Sequence, residues 1–134
     1  MREIKFRGYS VEELIGLQWI CNGYGVAKIV YMDGTKSFHL LTPYGDYQVE
    51  EGSIGQYTGL KDKNETEIYE GDIVKMINYR HKGIIKYING AFEIDWNDKH
   101  LCRNLNYWNK NDSVIEVIGN MFENRELLEE NKYE

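Results

Sequence analysis

The chain has 134 residues and a net charge of −6, is 42% apolar and 13% aromatic with 11 Tyr and 3 Trp, and contains a single Pro. This length suits one domain with one hydrophobic core, removing roughly two thirds of the unfolded surface on folding, and the composition excludes a disordered or low-complexity chain. The acidic balance excludes binding to nucleic acid by global charge, so phosphate contact would need a local basic patch.

The opening residues Met1-Arg2-Glu3-Ile4-Lys5-Phe6-Arg7 lack the apolar stretch of an export signal. No window approaches the roughly eighteen apolar residues of a membrane span. A soluble cytoplasmic protein without membrane association is expected, and Cys21 and Cys102 are expected to stay reduced as small apolar residues.

Ile4-Lys5-Phe6-Arg7 alternates apolar and charged residues and predicts a short first strand with Ile4 and Phe6 on one face. Ser10-Val11-Glu12-Glu13 fits a capping box ahead of Leu14, Ile15 and Leu17, so a helix of one or two turns is expected, limited by Gly16. Two hairpins follow from turn pairs that tolerate positive φ between strand-forming runs. One joins Val26–Tyr31 to Lys36–Leu41 near Asp33-Gly34; the other joins Gly83–Ile88 to Ala91–Trp96 at Asn89-Gly90.

Between the hairpins, Asp62-Lys63-Asn64-Glu65 reads as a turn, and Glu70-Gly71-Asp72 precedes a strand from Ile73 to about Tyr79. Val114–Ile118 is a further strand candidate. Asn124 is placed to cap a short helix through Glu126, Leu127, Leu128 and Glu129, before a polar tail from Glu130 to Glu134. Short strands separated by turn signals predict a mainly β fold of antiparallel hairpins with short helices, the second half forming a partly closed, SH3-like barrel.

Three stretches carry a resemblance to a known family. Ile54-Gly55-Gln56-Tyr57-Thr58-Gly59-Leu60-Lys61-Asp62-Lys63-Asn64, continued by Glu67-Ile68-Tyr69-Glu70-Gly71-Asp72-Ile73-Val74, closely resembles the signature of the YopX family. Ile115-Glu116-Val117-Ile118-Gly119-Asn120 with Phe122-Glu123-Asn124 and Leu127-Leu128 resembles its closing pattern, and Lys5-Phe6-Arg7 with Tyr9 its opening. The resemblance covers about Ile4 to Leu128. It implies a small phage or prophage protein of largely β structure acting in the bacterial host cytoplasm, and it supplies no reaction. The chain departs from the pattern at Asn64-Glu65-Thr66-Glu67, where the family commonly has an Asn-Gly turn, and at Phe6-Arg7-Gly8-Tyr9, where Phe-Arg-Ala-Trp is commoner.

Gly55, Gly59 and Gly71 fit neither phosphate-loop nor dinucleotide spacing and read as turn and packing glycines. Glu65, Glu67, Glu70 and Asp72 alternate in direction along an extended segment, which favours a solvated rim over a carboxylate pair. His100 and Cys102 lack the paired ligands of a metal centre, and neither a Ser-His-Asp set nor a base beside either cysteine is evident. No catalytic residue, cofactor or metal is therefore assigned, and a non-enzyme is expected.

Two surfaces stay open as alternatives. The residues Lys75, Tyr79, Arg80, Lys82, Lys86 and Tyr87 interleave cations with aromatics as single-strand binders do, against a bland reading as a solvated connection. Trp96, Tyr107 and Trp108 are candidates for an aromatic protein interface, against core packing. The leading expectation is an interaction or accessory module that binds itself as a homo-oligomer, or binds a phage or host protein, with nucleic acid as the alternative partner.

Overall fold

The computed structural model describes residues 3–14, 16–76, 81–96, 104–105 and 115–129. The protein is mainly β and antiparallel, and its backbone condenses into two compact units, Met1–Tyr57 and Thr58–Glu134.

In the first unit β1 (Phe6–Tyr9) pairs antiparallel with β2 (Trp19–Gly23) and with the start of β6 (Gly55–Lys61). β3 (Gly25–Val30), β4 (Lys36–Thr42) and β5 (Gly45–Val49) form a three-stranded meander in that order. A 3₁₀ turn, Glu51–Ser53, leads into β6. The predicted β3–β4 hairpin is present: Gly34 sits at φ 89 and Asp33 Oδ1 accepts hydrogen bonds from Thr35 N and Thr35 Oγ1 at 3.0 and 2.7 Å. Glycine is required at two close approaches, since a Cβ at Gly23 would lie 2.5 Å from the Leu40 side chain and one at Gly8 would lie 2.8 Å from Val49. Gly8 is one of the departures from the family's opening, and the packing of Val49 onto it explains why alanine does not fit here.

The helix expected at Ser10 does not form. Ser10 forms a β-bridge with Val49, and its hydroxyl donates to Glu12 O at 2.8 Å instead of accepting the Glu13 amide. The Gln18 side chain then organises the loop, accepting from Leu14 N at 2.7 Å and donating to Glu12 O at 3.0 Å. With the local polar groups satisfied in this way, the short amphipathic run gains nothing further from a helical turn.

In the second unit the remainder of β6 lies beside β7 (Glu67–Tyr69), and Thr58 Oγ1 donates to Ile68 O at 2.8 Å. β8 (Asp72–Met76), β9 (Lys82–Ile88), β10 (Ala91–Asp95) and β11 (Ile115–Asn120) form an antiparallel sheet ordered β10-β9-β8-β11. This sheet is open. The barrel expected in this half does not close among the described residues, because β10 and β11 lie at opposite ends of the ladder. One face buries Val74, Met76, Ile85, Ile94, Trp96 and Ile115 in a core shared with Ile68 and Leu105. Asn89 at φ 53 and Gly90 at φ 84 make the predicted primed turn between β9 and β10.

The C-terminal helix α1 (Glu126–Glu129) is present, though Asn124 does not cap it. Its Oδ1 accepts from Asn120 N at 3.1 Å, while Leu127 N donates to the Asn124 backbone carbonyl at 3.0 Å.

Asp62 ties the β6–β7 turn to the far edge of the sheet. It is 4% exposed; Oδ1 accepts from Asn64 N at 2.8 Å and Thr66 N at 2.9 Å, and Oδ2 accepts from Val117 N at 2.8 Å. Lys63 N donates to Ile115 O at 3.2 Å beside it. Within the same turn Glu65 adopts φ 65, the left-handed conformation an Asn-Gly pair would supply. Asp62→Ala should cost about 2–4 kcal/mol, because three amides lose their acceptor. Glu65→Gly should add about 0.5–1 kcal/mol by relieving the left-handed strain. Urea unfolding of both variants checks the pair, and a smaller loss for Asp62→Ala than for an exposed Asp→Ala control would contradict the first.

Candidate functional site

The described lysines of the second sheet, Lys75, Lys82 and Lys86, share one face, Lys75 standing opposite Lys82 in the ladder, but the aromatic candidate Tyr87 does not join them. Period-two geometry puts Lys82, Ile84, Lys86 and Ile88 of β9 on the face away from the core, and turns Gly83, Ile85 and Tyr87 to the core face. Tyr87 pairs with Phe92 across the strands, ring centroids 5.0 Å apart at 66°, and Phe92 packs against the core. Tyr87 and the lysines therefore point in opposite directions.

Carboxylates interleave with the lysines on their own face. Lys86 Nζ donates to Asp95 Oδ2 at 2.9 Å and stands opposite Glu93 in the ladder. Lys63 Nζ lies 3.0 Å from Glu116 Oε2, and Lys75 is Glu116's cross-strand neighbour. The Lys63 hydrogen bond, with Lys75 adding to it, holds the Glu116 carboxyl below the usual range. Lys82 Nζ donates to Leu127 O at 3.2 Å, so α1 reaches this end of β9. The face is a mixed-charge ladder, not a cationic groove. Tyr79 and Arg80 lie outside the described residues.

Of the aromatic candidates, Trp96 is 2% exposed and belongs to the core, which removes it from any interface. It follows β10 on the face of Phe92 and Ile94, where the sheet's apolar side is covered. Tyr107 and Trp108 lie outside the described residues.

The surface that does stand out is β3, at the edge of the first unit's meander, with no strand on its other side among the described residues. Tyr31 N donates to Thr35 O at 2.8 Å, so the alternation of an antiparallel ladder gives β4 the odd-numbered backbone groups. The N–H and C=O groups of Val26, Lys28 and Val30 consequently point outward. Tyr24, Val26, Ile29, Val30, Tyr31 and Met32 are all exposed along this edge, and Tyr44 is exposed in the β4–β5 turn. A long apolar edge of this kind is what natural sheets ordinarily blunt, and Lys28 is its one charged residue.

On one face of the same meander, a polar chain runs across the strands. Tyr31 Oη and Ser37 Oγ share a hydrogen bond of 3.0 Å, Ser37 Oγ and His39 Nε2 one of 2.9 Å, and His39 Nδ1 lies 3.9 Å from Asp46 Oδ2. The sequence reading missed this Ser-His-Asp set because it depends on the register of β4 against β5. As nucleophilic machinery it is incomplete. Ser37 is 5% exposed in mid-strand with its hydroxyl engaged by Tyr31, and the Asp46 contact exceeds hydrogen-bond length. What the chain does is hold the Tyr31 phenol against the sheet.

Among the described residues, no three His, Cys, Asp or Glu side chains gather as metal ligands, and no helix is long and apolar enough to cross a membrane.

Comparison with known proteins gives a consistent picture. The model of the family described as YopX protein matches residues 5–129. A crystal structure of a protein from Enterococcus faecalis is similar with a TM-score of 0.54 and 27% identity, covering 96% of this chain and 99% of that one. The crystal structure of protein YopX from Bacillus subtilis is similar in fold, with a TM-score of 0.52 and 18% identity over 96% of this chain and 97% of that one. No curated protein matches the sequence.

Placement of Trp96 has a measurable consequence. Trp96→Ala should cost about 3–5 kcal/mol in urea unfolding, as truncation of a core aromatic does. A loss under about 1 kcal/mol would show that the ring is not packed.

Proposed function

The chain belongs to the YopX family, and on that premise we propose that it is a non-enzymatic interaction module that engages a protein chain through the β3 edge. The observation that carries this reading is the combination, on one strand, of outward backbone donors and acceptors with exposed apolar side chains on both faces. Main-chain hydrogen bonds to an added strand supply affinity, and side chains on both faces supply selectivity. Its setting on this reading is the cytoplasm of a phage-infected or prophage-carrying bacterium, as the resemblance to the family implies. No cofactor is needed. The carboxylates interleaved with the lysines, Glu116 paired with Lys63 and Asp95 with Lys86, argue against nucleic acid as the partner.

The test is affinity capture from infected cells, with and without nuclease, comparing the native chain with the double variant Val30→Glu, Met32→Glu. Both positions are exposed, so the variant should keep its circular dichroism spectrum and melting profile. It should lose protein partners that the native chain retains, and nuclease should make no difference. Recovery of the same proteins by both forms would refute the β3 assignment. A fluorophosphonate probe should leave Ser37 unlabelled; labelling that disappears with His39→Ala would replace this reading with a hydrolase.

A further inference from the structure

We infer that the occupant of the β3 edge is the β3 edge of a second copy, the two strands pairing antiparallel about a two-fold axis at Ile29 to make one six-stranded sheet. The inference rests on the interaction reading above and names its partner.

Register decides the argument. Antiparallel self-pairing joins outward-facing residues of one copy to outward-facing residues of the other, so only certain alignments satisfy the free groups of Val26, Lys28 and Val30. An axis at Lys28 sets two ammonium groups directly opposite each other, which is unfavourable. Moving the axis to Ile29 removes that clash. Lys28 then faces the partner's Val30, Ile29 faces the partner's Ile29 in a closely spaced non-hydrogen-bonded pair, and large residues meet small ones. Tyr31 lies over the partner's Ala27, and Met32 lies over the partner's Val26.

Size and position agree with this. Tyr24, Val26, Ile29, Val30, Tyr31 and Met32 together expose on the order of 700 Å² of surface, the upper bound on what each copy buries and of the scale of the roughly 800 Å² each partner contributes to a standard interface. The Tyr31–Ser37–His39 chain fixes the phenol on the face where it would cover Ala27 of the second copy. Lys28 serves as a register key by penalising the alignment centred on itself.

Sedimentation of the full chain from about 1 to 100 μM, the range that brackets weak and moderate complexes, should show a dimer. Ile29→Lys and Ile29→Glu should each weaken it at least about tenfold, since like charges then meet at the axis. Mixing the two variants should restore a mixed dimer, because only position 29 faces itself. Restoration also reports that both variants fold. A native chain that stays monomeric at about 100 μM, a dimer indifferent to Ile29→Lys, or a mixture that fails to reassociate would each overturn self-pairing. A monomer whose protein partners are still lost with Val30→Glu, Met32→Glu would refute self-pairing while leaving the interaction module standing.

Discussion

One buried carboxylate fixes much of the second unit. Asp62 receives three backbone amides, two from its own turn and one from Val117, and with 4% exposure it has little water to fall back on. A buried carboxylate is stable only when donors surround it, so the turn, the start of β7 and the line of β11 must all be in place together. The long signature from Ile54 to Val74 makes sense in these terms. Its Gly, Asp and Thr residues supply the turn chemistry and side-chain bonds that bring β6, β7 and β8 into order, and its Ile and Tyr residues fill the space between.

That signature identifies the family but offers no chemistry, and the exposed feature lies elsewhere. β3 and its turn use none of the signature residues. A strand that presents Val26, Ile29, Val30, Tyr31 and Met32 to solvent has unsatisfied surface that an isolated domain gains nothing from keeping. A partner strand would satisfy it, and the family name alone points to no such partner.

Legibility in the sequence followed the range of the interaction. Both hairpins were readable because Asp33-Gly34 and Asn89-Gly90 dictate their turns locally, and the observed φ values match. The helix at Ser10 was misread because the competing partner, Val49, is distant in sequence. The basic and aromatic candidates around Lys82 and Tyr87 looked like one patch until period-two geometry separated them onto two faces. Trp96 could be placed inside only once the core face of β10 was known. The run Val26-Ala27-Lys28-Ile29-Val30-Tyr31 reads equally well as a buried central strand, so its position at an edge was invisible. The Ser37, His39 and Asp46 grouping was hidden for a related reason, since it depends on cross-strand register.

The span between Asp62 and Val117 has a kinetic side. The Asn89-Gly90 hairpin closes through neighbouring residues and belongs to the microsecond class of folding events. β11 must instead return across 55 residues to complete the Asp62 cluster, and loop-closure entropy is spent before the Val117 bond forms. Chain topology therefore favours the β9–β10 hairpin forming before the β11 edge. Until β11 arrives, the edge of β8 is open to other strands, which makes the closing segment that carries the family's final pattern the protection of the newly made chain against mispairing.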